Sequence, residues 1–203
     1  MDQKYIKTLL DNLNQTKERN LVIIDFGNVQ KWEKELKWTI GIKELKNLIK
    51  HLTYGKKFLR RFYYGSDFGK SEKNQVMTMW SAAILNKAKM NNFEIITKRV
   101  KYISDKNYKQ GFQKKCNFDV EMTVDMIKEH KNYDNVIVFS GDGDFAYVLK
   151  YLRDNYNKNA YIFGARNHVG KEIYDAKEEG IIKEILYAED FEYRLNMNRF
   201  DNH

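Results

Sequence analysis

Short, unbroken apolar runs alternate with longer amphipathic stretches along most of this chain, and few architectures accept that rhythm. Leu21-Val22-Ile23-Ile24 and Val136-Ile137-Val138-Phe139 carry no polar residue at alternate positions. Strands of that kind are covered on both faces, which is the situation at the centre of a parallel sheet. β-rich blocks separated by helical patterns specify βαβ units. The spacing predicts strands over residues 21–25, 57–64, 93–97, 135–140 and 160–163, with a last strand at 181–186. Helices are predicted near 41–52, 73–90, 119–130, 144–154 and 168–178. The two wholly apolar runs belong in the middle of the sheet.

A length of 203 residues suits one large domain with appendages. The expected division is a helical extension over 1–18, an α/β domain over 19–187 and a polar, aromatic tail over 188–203. No Gly/Ser linker or fixed-period repeat interrupts it. No apolar run approaches the roughly 18 residues of a membrane helix, and Met1-Asp2-Gln3-Lys4-Tyr5 lacks the apolar core of a secretory signal. A soluble, cytoplasmic protein without a membrane partner is expected. Cys116 is the sole cysteine, which excludes an intrachain disulfide and zinc sites built on several thiolates. Lys114 and Lys115 flank it and could lower the thiol's pKa, but a plain free thiol is the better reading.

Acidic residues fall at one end of the predicted sheet. Asp25 ends the first central strand in Ile24-Asp25-Phe26-Gly27-Asn28, while Asp142 and Asp144 follow the other in Phe139-Ser140-Gly141-Asp142-Gly143-Asp144-Phe145. Ligands of open parallel sheets bind beyond the carboxyl ends of the strands. Asp119 opens the helix before the second of these strands and can point into the same crevice. Like charges at such distances raise one another's pKa. A divalent cation relieves the crowding, and an oxygen-only donor set favours Mg²⁺ or Mn²⁺ over zinc. Such an ion activates water and stabilises charge on a phosphodiester, which points to phosphoryl-transfer hydrolysis.

Each acid also has a plainer reading. Asp119 suits a helix N-cap, Asp142-Gly143 a turn, Asp144 a cap, and Asn28 an Asx turn. Their coincidence at one sheet edge favours the metal site. Asp125 lies six residues beyond Asp119, about 240° around the helix and off its face. Met122 and Met126 read as core. Asp67, after the second strand, could join the acids but suits a turn better.

These residues resemble the NYN domain family, the PIN-like ribonuclease group that includes the LabA-like proteins. The resemblance is carried by Ile24-Asp25-Phe26-Gly27-Asn28, by Lys115-Cys116-Asn117-Phe118-Asp119-Val120, and by Ser140-Gly141-Asp142-Gly143-Asp144-Phe145, in that order. It implies a Rossmann-like three-layer α/β/α sandwich with a mostly parallel central sheet. It also implies a metal-dependent nuclease acting on RNA, with Asp25, Asp119, Asp142 and Asp144 as the metal site and Asn28 and Ser140 as polar helpers. The chain departs from the family in carrying Cys116-Asn117-Phe118 before Asp119, where Lys-Gly-Val is frequent.

A net charge of +8, from 36 basic and 28 acidic side chains, favours a polyanionic partner. The segment 98–115 alone carries +6, from Lys98, Arg99, Lys101, Lys106, Lys109, Lys114 and Lys115 against Asp105, interleaved with Tyr102, Tyr108 and Phe112. It reads as a long connecting loop, functional or disordered. Its mixture of cations and aromatic rings is the one that grips single-stranded nucleic acid. The expected contacts are Lys98, Arg99, Lys101, Tyr102, Lys109, Lys114 and Lys115, with Ser140 beside the acids; Arg60 and Arg61 are placed to extend the track.

Other chemistries lack their residues. There is no Gly-x-Ser-x-Gly elbow and no Walker loop, and the four histidines are scattered. A phosphatase of the haloacid dehalogenase type wants Asp-x-Asp after its first strand, where Gly27 takes the second acidic position. The expectation is a Mg²⁺- or Mn²⁺-dependent ribonuclease on single-stranded RNA, with Asp25, Asn28, Asp119, Asp142 and Asp144 catalytic. The alternative is a non-catalytic RNA-binding or regulatory protein on the same fold. Ile6, Leu9, Leu10, Phe191, Tyr193 and Phe200 in the terminal segments pack either on the domain or on a second copy, as a homodimer.

Overall fold

Strands with no polar side chain at alternate positions need a layer on each face, and the computed structural model, which describes residues 4–8, 11, 18–52, 58–108 and 111–192, supplies both. In chain order the elements are β1 (Asn20–Asp25), α1 (Phe26–Lys31), α2 (Glu33–Leu36), α3 (Ile42–Leu52), β2 (Phe58–Tyr63), α4 (Met79–Met90) and β3 (Glu94–Ile96). After them come β4 (Lys101–Ser104), β5 (Phe112–Lys115), α5 (Asp119–Lys128), β6 (Asn135–Phe139), α6 (Phe145–Tyr156), β7 (Asn159–Gly164), α7 (Lys171–Glu178) and β8 (Ile182–Tyr187). Single 3₁₀ turns follow β7 and β8, at Arg166–His168 and Ala188–Phe191.

Among the described residues, six parallel strands form one sheet in the order β3-β2-β1-β6-β7-β8. The chain winds outward from β1 to β3, returns to the centre at β6 and winds outward the other way. β1 and β6 are therefore neighbours, Ile24 lying opposite Phe139, and the reversal between them is the topological switch point of the sheet.

The period-two alternation of each central strand divides its side chains between two cores. Val22, Ile24, Ile137 and Phe139 join Phe26, Val29, Trp32 and the apolar face of α3 on one side. Leu21, Ile23, Val136 and Val138 pack with Met122, Met126, Leu149 and Ile173 of α5, α6 and α7 on the other. This is the expected three-layer α/β/α sandwich.

Several boundaries differ from the sequence reading. The segment 98–115, expected to be a loop, contains the antiparallel hairpin β4–β5, with Lys101 opposite Lys115 and Tyr102 opposite Lys114. The helix expected over 73–90 starts only at Met79, because residues 71–78 are held in a loop against Arg99 and Asp67. The short helices α1 and α2 were not anticipated. Residues 4–8 are helical, and Ile6 and Phe191 are fully buried in the α1–α3 core, so both pack on the domain. Leu9, Leu10, Tyr193 and Phe200 lie outside the described residues. Among the described residues no helix is long and apolar enough to cross a membrane.

Candidate metal centre

Asp25 is the last residue of β1 and the N-cap of α1: its Oδ1 accepts from the Asn28 amide at 3.0 Å. Asn28 Oδ1 in turn accepts from the buried Trp32 indole at 2.9 Å, and the Gly141 amide, beyond β6, points to the same oxygen at 3.5 Å. One asparagine thus links the ends of the two central strands. Past β6 the chain makes two nested turns. Ser140 Oγ accepts from the Asp142 amide at 3.2 Å, and Asp142 Oδ1 accepts from the Asp144 amide at 3.1 Å.

The glycine before Asp142 is sterically required: a Cβ on Gly141 would stand 1.8 Å from the His168 carbonyl oxygen, whereas one on Gly143 would meet only the Glu172 side chain, its Oε2 at 2.3 Å. The loop after β7 lies directly against the acidic turn, and Gly170 donates to the Gly141 carbonyl at 2.7 Å.

Asp119 opens α5 without capping it; Phe118 occupies the cap position. Asn117 grips Asp119 twice, its Nδ2 donating to Asp119 Oδ2 at 2.6 Å and its Oδ1 accepting from the Asp119 amide at 2.8 Å. Phe118, buried edge-on against Tyr63 at 5.8 Å, fixes the approach to that turn.

Asp119, Asp142 and Asp144 each present a carboxylate oxygen, all within 4.8 Å of one another. Asp25 stands outside that triad but lines the same cavity of about 580 Å³ with Asp119 and Asp142. Burial pushes the Asp25 carboxyl up to about 6, and the charges of Asp119 and Asp142 add to it. The Asp119 carboxyl is also raised, first by burial and then by Asp142 and Asp144. A hard divalent cation matches this donor set of carboxylate oxygens. Cys116 lines the cavity too, but burial pushes its thiol up despite the neighbouring lysines, so the sulfur stays protonated at neutral pH.

The NYN domain family model matches residues 19–184. The chain belongs to the NYN domain family. Residues of this NYN domain are similar to the low amplitude and bright protein LabA of Synechococcus elongatus, 33% identical over 61 residues. That match covers 30% of this chain and 33% of LabA, so it spans about a third of the relative. The fold is similar to that of a protein of unknown function from Vibrio parahaemolyticus, with a TM-score of 0.62 at 18% identity over 86% of this chain and 95% of that one.

Around the acids, the NYN domain uses its basic residues unevenly. The hairpin is stitched to the sheet edge through Ser66, which donates to the Lys98 carbonyl at 2.8 Å and accepts from the Val100 amide at 2.9 Å. Lys114 and Lys115 line the acidic cavity. Lys114 Nζ also pairs with Asp67 at 2.8 Å, and Tyr102 donates to the other Asp67 oxygen at 2.6 Å. Asp67 therefore anchors the hairpin and does not enter the acidic cluster. Lys98 pairs with Glu121 and lies over the Phe118 ring. Arg99 spends its guanidinium on the Ser71 and Asn74 carbonyls. Lys101 is exposed on the hairpin, and Lys109 lies outside the described residues.

Arg61 is not part of any track. It is buried, and it pairs with Glu94 at 3.2 Å, Asp125 at 2.9 Å and Glu129 at 2.8 Å. Arg60 lies over the Phe58 ring at 4.6 Å. Asp125 also accepts from Tyr63 at 2.7 Å, which agrees with its position off the Asp119 face. Asn117 was not singled out as functional from sequence; the Asn-x-Asp spacing before a helix was its available signal.

Proposed function

We propose that this NYN domain is a metal-dependent ribonuclease hydrolysing phosphodiester bonds of single-stranded RNA, with Asp25, Asp119, Asp142 and Asp144 holding Mg²⁺ or Mn²⁺. The observation that carries the reading is the convergence of three carboxylate oxygens within 4.8 Å, with a fourth acid in the same cavity at the switch point of the sheet. When bound, the ion neutralises the acids and supplies Lewis-acid stabilisation of a phosphodiester together with an acidified water.

The chain's own residues prepare that site. Asn117 fixes the Asp119 carboxylate, and Ser140 and the nested turns fix Asp142 and Asp144. Asn28 holds the two strand ends at a constant separation, and one oxygen of Asp25 remains for the cavity while the other caps α1. The hairpin brings the phosphate backbone in. Its Lys101 and Lys115 stand directly opposite one another and exposed, an arrangement that like charges disfavour and a polyanion relieves.

The test is cleavage of 5′-labelled single-stranded RNA by wild type and Asp142→Asn, in EDTA and with Mg²⁺ or Mn²⁺ added. Cleavage by wild type in either metal, absent in EDTA and reduced at least about a hundredfold in the variant, is the expected result. Equal cleavage by both proteins ends the assignment of the acids. RNA binding that survives EDTA, with no cleavage in any metal, replaces it with the non-catalytic reading.

A further inference from the structure

Of the three tryptophans, Trp32 and Trp38 are buried, whereas Trp80 is 71% exposed in the first turn of α4. An indole is a costly group to leave in water, because most of its surface is apolar. Trp80 is nevertheless held firmly. Its side chain and that of Gln30 both approach the hydroxyl of Tyr64, whose ring packs edge-on against Phe26 at 5.6 Å. The turn that carries it is pinned to the end of β2. The Thr78 amide donates to the Asp67 carbonyl at 2.8 Å, and buried Ser81 accepts from the Asp67 amide at 3.1 Å. The turn behind the ring is thus tied down while most of the ring's surface stays in solvent.

Trp80 lines the cavity that contains Asp25, Asp119 and Asp142, in company with Lys31, Lys114 and Lys115. Resting on the ribonuclease reading, we propose that Trp80 is the base-stacking platform of the substrate strand and holds an unpaired base beside the phosphate that the acids receive. An aromatic face accepts any base, and the lysines take the phosphates on either side. A base stacked on a side chain has left its partner, so this residue selects single strands over duplex. Val76 and Met79, near Trp80 in the chain and 82% and 88% exposed, offer apolar surface that could instead seat a protein. The acids and lysines that line the cavity beside Trp80 argue for RNA, because the centres of protein interfaces are depleted of charged residues.

Trp32 and Trp38 are buried out of reach of a bound base, so the part of the tryptophan emission that RNA quenches by contact reports Trp80. Full-length protein in EDTA is titrated with a 5′-labelled 12-nucleotide oligoadenylate, and separately with a blunt RNA duplex of the same length. Affinity is read by anisotropy and quenching by excitation of tryptophan. The single strand is expected to quench the emission and the duplex to leave it unchanged. Trp80→Ala is expected to lose the quench and about 5- to 100-fold of single-strand affinity, Trp80→Phe to retain most of that affinity, and both to melt as wild type does. Single-strand affinity unchanged in Trp80→Ala, in a protein that still cleaves RNA with metal, overturns the platform and leaves the ribonuclease standing. Wild type that neither binds nor cleaves RNA overturns both. A dimer that Trp80→Ala dissociates without changing RNA affinity gives this surface to a second copy and overturns the platform.

Discussion

Asp25 does two jobs that pull its carboxyl in opposite directions. Burial, with the neighbouring acids, favours the neutral form, the Asn28 amide favours the ionised one, and the balance raises the pKa to about 6 against an ordinary 3.8. A carboxyl raised on folding contributes stability that is complete below its unfolded pKa and lost as pH rises through its folded one. The metal-free protein therefore loses stability from Asp25 between about pH 4 and 6, by about 3 kcal/mol. Asp25→Asn keeps the capping oxygen and removes the charge. Melting in EDTA should find the variant more stable than wild type at pH 8 and equal to it below pH 4, and a variant that is less stable at pH 8 contradicts the burial argument. Asn117→Ala should act the other way, lowering activity or metal affinity about 10- to 100-fold with little change in melting, since it removes only the two bonds that orient Asp119. The acids were legible because each follows or precedes an apolar element at a known topological address. Asn117 was not, because an asparagine in a loop has the same sequence signature whether or not it holds a carboxylate.

At the scale of elements, the hairpin was the least legible part. β4 reads Lys-Tyr-Ile-Ser and β5 reads Phe-Gln-Lys-Lys, and no apolar face repeats every second residue. What pairs them is local: Tyr102 lies against Phe112 at 5.1 Å, and Asp67 anchors Tyr102 and Lys114 from outside the hairpin. α1 and α2 were obscured for a related reason, being only 6 and 4 residues long and so below the length at which helical periodicity shows. By contrast β1 and β6 declared themselves, since no other element of a soluble domain tolerates four consecutive apolar side chains so readily. The opposed Lys101 and Lys115 give the hairpin a measurable signature. Lys101→Gln should weaken single-stranded RNA binding uniformly across sequences and reduce the slope of log affinity against log salt by about 0.7, the share of one phosphate contact. Anisotropy at four or more salt concentrations reads both quantities. An unchanged slope would remove Lys101 from the phosphate track.

For the molecule as a whole, the order of the sheet decides where charge is tolerated. Strands that reverse direction of winding at β1 and β6 open a crevice there, and the chain fills it with Asp25, Asp119 and Asp142. The acids repel one another in the folded state and are dispersed in the unfolded one, so a cation that binds only the fold must stabilise it. At a hundredfold excess over its dissociation constant such an ion adds about 2.7 kcal/mol. For a chain of this size that is a rise of about 5–10 °C in Tm. Thermal melts in EDTA and then in Mn²⁺ or Mg²⁺, with sodium chloride matching the ionic strength, separate this from general screening, which acts on exposed charges at about 10 Å and is the same for both salts. Wild type should gain several degrees from the divalent ion beyond the sodium control, and Asp142→Asn, with one ligand fewer among the three carboxylates that approach within 4.8 Å, should gain much less. Identical gains in the two proteins would mean that the ion binds elsewhere. The crowding of acids at the switch point would then be a burden that the fold carries without using it.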